Sequence, residues 1–121
     1  MAQEITATAT LTYAKGNISA VTMGKSGSRF DVAGNNYERG TQTITTSSAQ
    51  AIGLGSIGTP GWFFIQNNDA TNYVTIFDAT SGNAFLKLKP GEFAMGRFAA
   101  AAPAAQANTA SVIVEFMIVE A

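Results

Sequence analysis

WFFIQNNDATNYVTIF, residues 62–77, decides the fold class. Its first four residues are apolar without a break, a run that suits a strand covered on both faces. NNDATN at 67–72 is a cluster of turn formers, and YVTIF at 73–77 alternates apolar with polar. The two runs predict a β-hairpin around a polar loop.

The pattern repeats on either side. Downstream, AFLKLK at 84–89 alternates, KPGE at 89–92 is a tight turn, and FAMGRF at 93–98 returns as a second predicted hairpin. SVIVEFMIVEA at 111–121 reads as a terminal strand, apolar on much of both faces. Between them, AAAAPAAQANTA at 99–110 is the one low-complexity stretch. Pro103 interrupts it and no amphipathic stripe is present, so a long connecting loop is expected there. Upstream, YERGTQTITT at 37–46 alternates, AQAIGL at 49–54 is a short apolar run, and GSIGTPG at 55–61 is a glycine-rich connection.

At the N-terminus, residues 3–13 (QEITATATLTY) alternate strictly. Ile5, Ala7, Ala9, Leu11 and Tyr13 share one face, and Thr6, Thr8, Thr10 and Thr12 share the other. No charge guards the threonine face, and on a free sheet edge such a strand invites pairing with another chain. KGN at 15–17 reads as a turn, ISAVTM at 18–23 as a strand, GKSGS at 24–28 as a loop and RFDVA at 29–33 as a short strand. About eight or nine short strands at roughly ten-residue spacing predict an all-β protein. The expectation is one antiparallel β-sandwich domain over 1–121, jelly-roll or Greek-key-like. Residues 1–14 would form an arm exchanged with a neighbour, and 99–109 an Ala-rich loop.

Composition narrows the function. Seven Lys+Arg and eight Asp+Glu give a net charge of −1, and charged residues make up 12%. That is about half the usual share. It offers no electrostatic reason to bind nucleic acid or an anionic membrane. The chain has no Cys and no His, which removes thiolate chemistry, Cys-based metal sites and His-dependent catalytic triads. At 121 residues the chain can bury roughly two thirds of its unfolded surface, and it needs no such staple.

The remaining motifs read as structure. Asn67, Asn68, Asp69 and Asn72 gather oxygen atoms in one loop, but one carboxylate is thin for calcium, and a turn explains them. GLGSIG at 53–58 matches the dinucleotide fingerprint as written, yet Pro60-Gly61 leads into a strand rather than a helix. Glu92 with Glu115, or Asp31 with Glu38, has no defined separation for paired-carboxylate catalysis. Salt bridges to Lys87, Lys89 or Arg97 are the simpler expectation for Glu92 and Glu115. Trp62, Tyr13, Tyr37 and Tyr73 are potential stacking platforms for sugars, although Trp62 is expected in the core.

Six segments carry a resemblance: Gly40–Gln42, Thr59–Trp62, Asn67–Val74, Lys87–Glu92, Thr109–Ala110 and Glu115–Phe116. In this order they resemble the recurring pattern of a family of small tailed-phage virion proteins encoded among head and tail genes. The resemblance spans residues 40–120 and implies a structural part without catalytic residues or cofactors. The function expected from it is a capsid decoration or cement protein on the outer surface of the virion, made in the host cytoplasm. Its partners would be the major capsid protein or other virion proteins and further copies of itself, a trimer being favoured. A neck or tail accessory, or a carbohydrate-binding receptor tip, is the alternative. The expected interface is Ile5, Thr6, Thr8, Thr10, Leu11, Thr12 and Tyr13 with Ala100, Ala101, Pro103 and Ala104, all uncharged.

Overall fold

The computed structural model describes residues 3–99 and 101–121, apart from the Ile18 side chain. The described residues are all-β, with ten strands and no helix. They divide into two compact units, 1–33 and 34–121.

The first unit is a two-stranded antiparallel ribbon, β1 (Ile5–Lys15) and β2 (Ile18–Phe30), joined by the two-residue turn Gly16-Asn17. Gly16 has φ +55°, the left-handed conformation that lets a two-residue turn follow the twist of the strands. GKSGS is not the loop expected there. Ala7 faces Ser28 and Ala9 faces Lys25, so β2 carries one extra residue and continues through a β-bulge. Gly27, at φ +64°, supplies the left-handed residue, and its N–H donates to Thr8 Oγ1 at 2.9 Å. Only Arg29 and Phe30 of the expected RFDVA strand are extended into the ribbon.

The second unit is a sandwich of two four-stranded antiparallel sheets. Its strands are β3 (Tyr37–Ile44), β4 (Gln50–Ala51), β5 (Pro60–Asn67), β6 (Val74–Phe77), β7 (Ala84–Leu88), β8 (Phe93–Arg97), β9 (Ala104–Ala107) and β10 (Val112–Glu120). One sheet runs β3-β10-β5-β8 and the other β4-β9-β6-β7. The first strand of the unit pairs with its last, the second with the next to last, and so inward to β6 with β7. A long hairpin rolled up in this way is a jelly roll.

This topology corrects both predicted hairpins. β5 and β6 lie in different sheets, as do β7 and β8, so NNDATN and KPGE are arches between the sheets rather than hairpin turns. The true hairpin is β6–β7, closed by DATSGN at 78–83. The Ala-rich stretch is also corrected. It contains β9, a central strand hydrogen-bonded to β4 and β6. Pro103 and Ala104, expected on an exposed docking loop, are fully buried. Alanine gives no amphipathic signal, but the pairing on both sides of β9 satisfies its backbone and its methyl groups fill the interior.

The core lies between the sheets. Ile44, Phe63, Ile65, Val114 and Ile118 meet Val74, Ile76, Leu88, Ala105 and Ala107, with Ile52, Ile57 and Phe98 closing the ends. Phe63 and Phe98 stack with ring centroids 4.0 Å apart. Burial alternates along β5 and β10 with period two. WFFI is therefore not covered on both faces, because Trp62 and Phe64 are only half-buried, on the outer side.

Candidate functional site

Two surfaces and one polar hub are the places where function can reside. The hub joins the two arches. Asn67, at the end of β5, is fully buried, and its Nδ2 donates to the carbonyls of Asn72 and Leu88, each at 2.9 Å. Its Oδ1 accepts from the Asp69 N–H at 2.8 Å. Its backbone bonds Glu92 and Gly91 of the KPGE arch. One side chain thus ties 67–72 to 89–92.

Several of the oxygen atoms that raised a calcium reading are already engaged. Asp69 Oδ2 accepts from the N–H groups of Asn72 and Thr71, and these bonds hold its carboxyl below the ordinary value. Asn72 Oδ1 accepts from Thr109 Oγ1, and Asn108 Oδ1 accepts from the Tyr73 N–H. Among the described residues no group of three or more acidic side chains gathers for a metal ion. The hub is a clamp.

The expected salt bridges take other forms. Glu92 Oε1 accepts from the Lys89 backbone N–H within its arch, and Glu115 Oε1 accepts from Asn68 Nδ2. Asp31 and Glu38 fall in different units. GLGSIG at 53–58 is a connection into β5, with the Ile57 N–H bonded back to the Leu54 carbonyl and Ile57 in the core. Tyr73 is half-buried with the Lys87 ammonium 4.1 Å above its ring centre, so that face is occupied by a cation–π contact. Trp62 is the third residue of β5, toward the end of the strand away from NNDATN.

The first surface is the ribbon. Paired residues project to the same side of a two-stranded sheet. Leu11 faces Met23, Tyr13 faces Val21, and the pairs lie on one side with Ala9 and Lys25. All are exposed, Leu11 at 75% and Met23 at 82%. Ile5 and Ala7, at the end of the ribbon away from its turn, are half-buried. On the opposite side, Thr12 and Thr22 share a hydroxyl hydrogen bond at 3.1 Å, between paired positions. Thr6, Thr8 and Thr10 are exposed as well. Of the Ala-rich candidates, Ala101 is exposed and Ala100 lies outside the described residues.

The second surface was not singled out from the sequence. It is the outer face of the β3-β10-β5-β8 sheet. One cross-strand row reads Arg39, Met117, Phe64 and Met95, and the next reads Thr41, Glu115, Gln66 and Phe93. Ile113, Met117, Phe93 and Tyr37 are exposed, the last two at 57% and 66%. Phe64 and Phe93 stack at 5.4 Å. The signal was present in SVIVEFMIVEA: Ile113 and Met117 occupy positions that alternate with the buried valines, where a solvated strand would carry polar residues.

In comparisons with protein-family models, curated proteins and solved structures, nothing matches this chain. The functional reading therefore rests on the surfaces themselves and on the motif resemblance.

Proposed function

We propose that this chain is a non-enzymatic structural protein of a tailed-phage virion, a decoration or cement protein bound to the outside of the assembled capsid lattice. The observation that carries the reading is the ribbon. An isolated two-stranded ribbon is marginal in water and needs a third layer or strand against its apolar side. Here that side carries Leu11, Tyr13, Val21 and Met23, all exposed, with both strand edges unpaired among the described residues. Such a ribbon gains its cover from a partner, and a repeating lattice offers the same partner many times.

The carboxylates favour a structural role too. Asp69, Glu92 and Glu120 each hold backbone N–H groups of the body. The resemblance of the six motif segments to small virion proteins supports the reading, and a decoration protein is the member of that class whose work is surface burial.

The test is occupancy of capsid shells lacking the protein. Wild-type chain added to such shells is expected to co-sediment with them and to appear as ordered density on their outer surface. Leu11→Ser with Met23→Ser should weaken binding at least about tenfold, since two large apolar side chains contribute about 1.5–3 kcal/mol each when buried. Circular dichroism of the body should not change. Wild-type occupancy by the double variant, or no occupancy by the native chain, overturns the proposal.

A further inference from the structure

We infer that two copies of this chain join through the free edges of β1, antiparallel about a two-fold axis at Ala9, to make one four-stranded sheet in the order β2-β1-β1-β2. The contact involves the first unit alone. It lies on the edge of the ribbon rather than on its apolar side, so it can fail while capsid binding holds, and hold while capsid binding fails.

The two edges of the ribbon are unlike. β2 is guarded. It carries Lys25 and Arg29, and it is bulged twice: Ala7 and Ala9 face Ser28 and Lys25, while Tyr13 and Lys15 face Val21 and Ile18. Charges and bulges are the usual means of turning an edge away from other strands. β1 has neither. Ile5 to Ala14 contains no charge and no proline, and both extra residues lie on the partner strand. Among the described residues β1 pairs with β2 alone, so the backbone groups on its other side are left to pair outside the ribbon.

Of the three ways to join such edges, one satisfies both copies. β2 against β2 sets two charged, bulged edges together. β1 against β2 leaves one free edge of each kind, so the sheet grows without closing. β1 against β1 is isologous: it uses the open edge of each chain and leaves only guarded edges outside. Paired residues project to the same side, so the apolar sides of both copies face one way. Leu11, Tyr13, Val21 and Met23 then appear twice on one wider sheet, with four strands where two are marginal.

The sequence also sets the register. With the axis at Ala9, residues 5–13 pair among themselves without a charge. Ile5 faces Tyr13 and Ala7 faces Leu11 on the apolar side. On the other side Thr6 faces Thr12 and Thr8 faces Thr10, pairs of a kind that stabilises neighbouring strands. Moving the axis to Thr10 sets Lys15 against Ile5. Moving it to Thr8 draws Glu4 into the seam, although its Oε1 already accepts from the Val32 N–H at 2.9 Å.

The chain has no cysteine, so introduced cysteines report the register directly. Ala9→Cys, Ile5→Cys, Tyr13→Cys and Met23→Cys are purified, oxidised gently alone and in pairs, and run on non-reducing gels. Ala9→Cys alone is expected to form a disulfide dimer. Ile5→Cys and Tyr13→Cys should form one as a mixture and not singly, because like positions lie about 26 Å apart along the strands. Met23→Cys, on the guarded strand, should form none alone. No dimer from Ala9→Cys, or a dimer from Met23→Cys alone, overturns the proposal. Sedimentation of the wild-type chain should give twice the 12.6 kDa chain mass. A monomer at every concentration, a trimer or an open-ended series overturns it. Ala9→Lys should be monomeric, and mixing it with Ala9→Glu should return the dimer, because opposite charges then meet at the axis. Absence of that return overturns the assigned register. Capsid shells enter none of these measurements, so a monomer that still occupies shells rejects this contact and keeps the reading above.

Discussion

The jelly-roll body and the ribbon are built from similar residues and end in opposite situations. Both alternate apolar with small polar side chains, and both are low in charge. In the body, alternation places Ile65, Ile76, Val114 and Ile118 against a second sheet. In the ribbon, the same alternation leaves Leu11, Tyr13, Val21 and Met23 exposed. Alternation reports which side of a strand is apolar. It does not report whether a second layer exists to cover that side. The body supplies its own layer because β5 to β8 cross between sheets at the arches, and the ribbon, a single turn with no arch, has no layer to supply.

Three substitutions probe this contrast by stability. Ile76→Ala has the largest expected effect. Ile76 is fully buried, and deleting its side chain should cost about 2–5 kcal/mol and lower the melting temperature by roughly 10–30 °C. Met23→Ala at the same protein concentration, dilute enough to keep the chain monomeric, should change stability by no more than about 0.5 kcal/mol. Equal losses at the two sites would erase the distinction. Asn67→Leu comes next. It orphans the Asp69 N–H and the carbonyls of Asn72 and Leu88, and should cost about 1–3 kcal/mol in denaturant unfolding. Hydrogen exchange should show both arches opening together, because one side chain holds both.

Gly27→Val works on the other half of the comparison. Forcing a branched residue into the left-handed conformation of the bulge costs about 1–2 kcal/mol, confined to a unit with little stability to lose. Amide exchange in β1 and β2 should rise toward that of unfolded chain while the body keeps its melting temperature. A drop in the body's melting temperature would show the units to be one cooperative system.

The elements of this fold were legible in the sequence, and their partners were not. Sequence patterning found eight of the ten strands wholly or in part, because period two and, at 62–65, an unbroken apolar run depend only on the residues themselves. Which sheet a strand joins depends on its connection, and six polar residues such as NNDATN serve a hairpin or an arch equally well. The difference is Asn67: in a hairpin turn it would be solvated, whereas here it is buried and bonded across two arches. β9 was hidden because an alanine methyl carries too weak a hydrophobic signal to mark a face. The bulge was hidden because Gly24 and Gly27 look like loop punctuation. For the candidate surfaces, Leu11 and Tyr13 came from the alternation of 3–13. Val21 and Met23 share their face only through a register that the extra residue at the bulge sets. The sheet face joins β3, β5, β8 and β10, which are far apart in sequence, so no local pattern collects it.

Acid is the gentlest probe of the comparison and separates the halves by the positions of their held carboxylates. Glu120 closes the body. Its Oε2 accepts from the Gly58 N–H, and its Oε1 from the Asn35 N–H and Asn36 Nδ2, which together hold it below its ordinary value of 4.5. Asp69, in the arch, is lowered by the Asn72 and Thr71 N–H groups. In the ribbon unit Glu4 is lowered first by the Val32 N–H. A carboxylate whose folded pKa is depressed contributes stability that is fully present above its unfolded pKa. That contribution is lost as pH falls through the folded value. The body should therefore weaken progressively below about pH 4.5, and Glu120→Gln should flatten that slope while lowering stability at neutral pH. Glu4→Gln should leave the body's slope unchanged and speed exchange only of the Val32 amide and its neighbours. The measurement is denaturant unfolding from pH 3 to 7 with exchange read residue by residue. Matching slopes for wild type and Glu120→Gln would mean that the carboxylate bonds of the body add nothing beyond what water offers the unfolded chain.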